Sequence, residues 1–102
     1  MARSRLELHV ELVRLLGSSH VYYQPPESLR MEYPAIVYSL SRIENVHAND
    51  DVYGQKKPYQ VILIDEDPDS RYIDRLSKFP YSTMERPYKA DNLNHFPFTI
   101  YY

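Results

Sequence analysis

The chain has no cysteine and only two glycines among its 102 residues. Without cysteine there is neither a disulfide scaffold nor a thiolate metal site. Gly17 and Gly54 stand too far apart to build a glycine-rich phosphate loop. Positive charge is not in surplus either: the formal net charge is −2, so no basic field draws the chain onto nucleic acid. Long apolar runs are missing as well. The opening "MARSRLELHVELVRLLG" threads charges through its apolar residues, unlike a signal peptide or a membrane span. The protein is therefore expected to work in the compartment where it is made.

Against those absences, 43% hydrophobic and 25% charged residues are ordinary for a globular protein. The length suits one domain, residues 1–102, with little room for a cleft between two lobes. Tyrosine is abundant, at 11 residues. Its apolar body suits strands, and its polar tip is enriched where protein meets protein.

Leu8, Leu12, Leu15 and Leu16 recur at helical spacing, with Val13 beside them. Ser4 is placed to cap this first helix and Gly17 to end it. Arg5, Glu7, Glu11 and Arg14 are expected to face solvent. Residues 18–34 read as a loop punctuated by Pro25, Pro26 and Pro34, with a short extended piece over His20–Gln24. "AIVYSLSRI" alternates as a strand. "PYQVILI", apolar on both faces, reads as a central strand. The segment between them carries turn signals at Asn49, Asp50, Asp51 and Gly54. It predicts a protruding hairpin arm around residues 44–58.

In "DEDPDSRYIDRLSKFP", Asp67 can cap a helix that begins at Pro68 and buries Ile73, Leu76, Tyr72 and Phe79 before Pro80 stops it. "YSTMERPYKA", a turn at Asp91-Asn92 and the alternating "HFPFTIYY" then form a final hairpin. Pro87 and Pro97 each lack an N–H, which predicts that this hairpin lies at a sheet edge; a loop centred on Asn92 would set the two prolines opposite each other. The predicted order is α-β-β-α-β-β: an α+β fold with a four-stranded, mainly antiparallel sheet and two helices on one face.

No catalytic motif is legible. Asp65, Glu66, Asp67 and Asp69 form the densest acidic cluster, yet a calcium loop would need glycine and a bidentate glutamate where Ser70 and Leu76 stand. His9, His20, His47 and His95 fall on separate elements without ligand spacing. The protein is expected not to be an enzyme and to need no metal or cofactor. The arm tip pairs Asp50 and Asp51 with Lys56 and Lys57 around Tyr53. It is either a solvated hairpin end or a two-signed contact with a partner.

Three stretches, "YPAIVYSL", "KPYQVILIDEDPDS" and "DNLNHFPFTIYY", together resemble a family of small structural proteins of tailed bacteriophages, the head–tail joining and tail completion proteins. The resemblance runs from about Tyr33 to Tyr102. Its most specific marks are Asp67-Pro68-Asp69-Ser70 and Asp91-Asn92-Leu93-Asn94-His95. The order of elements is similar to that of tail terminators. The resemblance implies a virion protein, assembled in the host cytoplasm, whose copies form a hexameric ring that caps the tail tube. Tube protein and a neck or head-closure protein would be its partners, with DNA only passing through the lumen and no membrane involved.

Expected contacts are the arm (Asp50, Asp51, Tyr53, Lys56 and Lys57), the Tyr22–Pro26 loop with Tyr22 and Tyr23, and the terminal Thr99, Ile100, Tyr101 and Tyr102. An aromatic terminal strand is either covered by a neighbouring subunit or paired within its own sheet. The sequence leaves both open. A head-closure or neck joining protein is one alternative function. A small phage-encoded inhibitor of a host protein is another.

Overall fold

The structure is a computed structural model that describes residues 5–26, 28–41, 44–48, 51–79 and 81–102, with backbone alone over 44–48 and 51–56. Elements follow in the order α1 (Arg5–Leu16), β1 (Val21–Tyr23), β2 (Ala35–Leu40), β3 (Glu44–Ala48), β4 (Asp51–Lys56), β5 (Pro58–Asp65), α2 (Tyr72–Ser77), β6 (Ser82–Met84), β7 (Tyr88–Ala90) and β8 (Leu93–Tyr101). The fold is α+β with two helices, but its main sheet has six strands, not four, and is mixed. β1 runs parallel to β2, and every other pairing is antiparallel. The strand order is β1-β2-β5-β8-β6, with β7 also on β8, while β3 and β4 form a separate two-stranded sheet.

Helix α1 forms where the leucine spacing places it. Leu8, Leu12 and Leu16 are buried, each worth roughly 1.5–3 kcal/mol of apolar burial. Gly17 ends the helix at φ 76° with its N–H bonded to Val13 O at 2.8 Å, a left-handed cap that costs glycine little. The expected cap Ser4 lies outside the described residues. Arg5 and Glu11 are half-buried, not solvent-facing.

Helix α2 begins at Tyr72, later than Pro68. The acidic residues explain the delay. Asp65 Oδ1 accepts the Asp67 N–H at 3.1 Å, and Asp67 Oδ1 accepts the Asp69 N–H at 2.9 Å. These side chains hold the backbone in successive turns that compete with helix. Ser70 is buried, and its carbonyl receives the Ile73 N–H at 3.2 Å as the helix starts.

The register of the sheet sorts its residues by face. Val21 and Tyr23, Ile36 and Tyr38, Tyr59, Val61 and Leu63, and Phe96, Phe98 and Ile100 meet beneath the two helices as one core. Tyr22, Val37, Ile62 and Pro97 form a cross-strand row on the opposite, helix-free face.

The final strand is not at an edge. β8 lies between β5 on one side and β6 and β7 on the other. The turn before it has two residues, Asp91 and Asn92, both at positive φ (53° and 63°), as tight hairpins require. An even loop cancels the register that would have opposed Pro87 to Pro97.

Pro97 is tolerated in this interior strand for a local reason. Tyr102 N–H bonds to Lys57 O in the β5 direction, whereas Tyr101 N–H bonds to Tyr81 O in the β6 direction. Even residues of β8 therefore bond to β5 and odd ones to β6 and β7. Pro97 carbonyl accepts the Glu85 N–H at 2.8 Å, so its missing donor faces the interval between Met84 and Tyr88, where the neighbouring strand is interrupted. The ladder to β5 loses nothing.

Candidate interaction surface

The two ends of the main sheet differ in chemistry. At one end is β1, "VYY". Gln24 N–H bonds to Tyr38 O at 3.1 Å and Ile36 N–H to His20 O at 2.9 Å. This parallel pattern turns the backbone groups of Val21 and Tyr23 away from β2. At the other end is β6, "STM". Because Tyr81 and Glu85 bond to β8, the backbone groups of Ser82 and Met84 point away from it. No described strand lies beyond either end. Tyr81 is 82% exposed, and Met84 and Tyr88 are also exposed large hydrophobics on this side. The Tyr88 ring stacks on His95 at 4.8 Å. Leu6 and Val10 form a second exposed apolar pair, on the outer side of α1.

The β1 end is stiffened by a polar cluster. Tyr38 is buried, and its hydroxyl lies 2.6 Å from His9 Nδ1 and 3.4 Å from an Arg5 guanidinium nitrogen. Arg5 can only donate, so the Tyr38 hydroxyl accepts from it, while the direction of its bond with His9 follows the tautomer of the imidazole. The Arg5 guanidinium also lies 4.3 Å above the Tyr23 ring, and the Tyr23 and Tyr38 rings pack at 4.9 Å. The scattered histidines of the sequence thus include one built into the sheet's hydrogen bonding.

Burial raises the Tyr38 and Tyr59 hydroxyl pKa values above the usual 10.0, against a smaller opposing influence from Arg5. The folded protein then holds protons that the unfolded chain gives up. Stability is full below pH 10 and falls as pH rises through the raised values. Tyr38→Phe is expected to flatten this alkaline decline in urea melts between pH 8 and 11. At neutral pH it should cost about 1 kcal/mol for the lost hydrogen bonds.

The sequence-predicted contacts fall into three groups. Tyr22 and Tyr23 sit on β1, on opposite faces of the sheet and both half-buried, not in a loop. Asp50 lies outside the described residues, as do the side chains of Asp51, Tyr53 and Lys56 on β4. The β3–β4 backbone shifts register between Val46 and His47, which leaves Tyr53 as the extra residue of a bulge. Lys57 is half-buried beside β8, its carbonyl accepting the Tyr102 N–H at 3.1 Å.

In the last group, Ile100 has no exposed surface and belongs to the core. Thr99 donates to Glu85 Oε1 at 2.8 Å, and Tyr102 packs against Phe79. Tyr101 is half-buried. The terminal strand is thus covered within its own subunit.

Sequence reasoning does not reach Tyr81, Thr83, Met84 and Tyr88: the local signal is a short uncharged stretch, Ser82–Met84, and its position at the sheet end depends on β8 being interior.

Among the described residues no three His, Asp or Glu side chains gather as a metal site, and no helix is long and apolar enough to cross a membrane. No protein-family model matches the chain, and neither a curated protein nor a solved structure matches it.

Proposed function

We propose that this chain is a non-enzymatic structural protein of a tailed-phage virion, one copy of a ring at the head-proximal end of the tail. The ring ends growth of the tail tube and joins the tail to the neck. The observation that carries this reading is the inequality of the two sheet ends: "VYY" with Tyr23 beneath Arg5 at one, "STM" with Tyr81, Met84 and Tyr88 exposed at the other. A surface that differs at its two ends suits head-to-tail association, which closes into a ring when the rotation permits.

The separate β3–β4 ribbon gives each copy an element outside the main sheet with which to reach a tube or neck protein. The tail resemblance supplies the assignment to a terminator, with six copies around a lumen through which DNA passes without being gripped. No cofactor or metal enters this role.

Removing the gene from its phage and imaging the lysate by negative-stain electron microscopy tests the proposal. Overlong tail tubes beside full heads are the expected result. Tails of normal length that never join heads would move the protein to head closure. Intact, infectious virions would overturn the structural role and favour an inhibitor of a host protein.

A further inference from the structure

We infer that the subunits of this ring join by pairing β1 of one copy with β6 of the next, antiparallel, with Tyr22 opposite Thr83. The inference rests on the ring reading for the number of copies, and on the sheet alone for the contact.

Strand direction comes first. β1 and β2 run together, β5 runs against β2, β8 against β5, and β6 against β8. β1 and β6 therefore run in opposite senses. A copy displaced across the sheet, helices kept on the same side, brings its β1 antiparallel to the first copy's β6.

Backbone phase comes second. The residues whose N–H and C=O groups point outward are Val21 and Tyr23 at one end and Ser82 and Met84 at the other, as the hydrogen bonds flanking β1 and β6 require. Opposing Val21 to Met84 and Tyr23 to Ser82 gives two hydrogen-bonded pairs with Tyr22 and Thr83 between them.

Side-chain phase follows from these two, since strand direction and backbone phase together fix the face of each residue in a chain of L-amino acids. Val21 and Tyr23 lie in the row of Ile36 and Tyr38, on the helix-bearing face. Ser82 and Met84 lie in the row of Ile100 and Phe98, on that same face. Tyr22 and Thr83 both lie on the helix-free face, in line with Val37 and Thr99. Directly opposed residues of an antiparallel pair share a face, and a slip of one residue would invert every side chain. The register that satisfies the backbone is also the one that keeps the two faces continuous.

The composition of the ends agrees. Neither "VYY" nor "STM" contains a charge or a proline, the usual guards of an exposed edge. Those guards appear instead at Arg86, Pro87 and Lys89, beside and on β7 and outside the paired segment. Closing the ring covers the β1 and β6 edges of every copy at once and leaves only the guarded β7 beside them.

Engineered cysteines test the register in a chain that has none of its own. Opposed residues between two hydrogen-bonded pairs have Cα atoms about 4.5 Å apart, within the range a disulfide spans. The double variant Tyr22→Cys/Thr83→Cys is purified as the full chain, and is also supplied to a phage lacking the gene so that virions can be collected. Both preparations are oxidised and run on non-reducing gels. A ladder of covalent multimers is expected, with each single variant remaining monomeric. Adding Met84→Pro removes one outward N–H without touching the ladder to β8. It should reduce multimers at least tenfold while the circular dichroism melt stays in place.

Dimers from Tyr22→Cys alone as abundant as multimers of the double variant would overturn the inference in favour of β1 meeting β1. Absence of a ladder while the protein is present in virions would overturn the pairing and leave the tail assignment standing. A ladder in purified protein that never enters virions would uphold the pairing and overturn the tail assignment.

Discussion

Truncation after Phe98 is expected to give an unfolded chain, not a folded subunit that fails to assemble. Residues 99–101 form the end of an interior strand, with Thr99 paired to both Gln60 and Thr83 and Ile100 to both Tyr59 and Ser82. Ile100 is fully buried, in the core cluster that also holds Tyr59, Val61 and Phe98. Its loss alone removes a core side chain worth about 2–5 kcal/mol. Tyr102 adds packing against Phe79 and a backbone hydrogen bond to Lys57. Their sum approaches the whole stability of a domain this size, about 5–15 kcal/mol. Far-ultraviolet circular dichroism and a urea titration of the truncated chain check it. A cooperative transition at an unchanged midpoint would show that these residues serve a partner.

The second large effect concerns where a proline is allowed. Pro97→Ala is expected to change stability by less than about 1 kcal/mol, because the restored N–H faces the interruption between Met84 and Tyr88. Val61→Pro is expected to abolish folding. Val61 is fully buried on β5, between β2 and β8, and its N–H faces Phe98 on β8, the side to which Tyr102 is bonded through Lys57. Proline there removes an interior ladder bond, at a cost of about 3 kcal/mol or more, and buries an unpaired carbonyl as well. Thermal melts of the two variants should therefore differ sharply although each changes one interior position. Comparable melting temperatures would mean that the two sides of β8 are equivalent, contrary to the hydrogen bonds.

These two positions show what the sequence could and could not convey. Leucine spacing in α1, alternation in β2 and the continuous apolar run of β5 are local signals, and the elements form where those signals lie. Pro97 is also a local signal, and its usual meaning is an edge. The interior place of β8 depends instead on β6 and β7 parting at residues 85–87, a tertiary arrangement with no local mark beyond Pro87. β1 was legible only as an extended piece, because three residues pairing in parallel with β2, fifteen positions downstream, leave no periodic trace.

Asp67-Pro68 reads as a helix start, but the Asp65 and Asp67 carboxylates bond the backbone two residues on and win the competition. Of the interaction surface, Tyr22 and Tyr23 could be named from composition. Thr83 and Met84 could not, since their value lies in the direction of backbone groups that only the full register fixes.

The ribbon of β3 and β4 carries a consequence for how such a protein can vary over generations. It is inserted between β2 and β5, which are direct partners: Leu40 opposes Tyr59, and the Ser41 N–H already bonds to Pro58 O at 2.9 Å. The chain thus leaves the core and returns to it across a single rung. An insertion of that kind can grow, shrink or be exchanged with little demand on the core, since each doubling of a connection costs only about 0.6 kcal/mol in closure entropy. Selection can then retune the ribbon to a new neighbour while the sheet that carries it stays as it is.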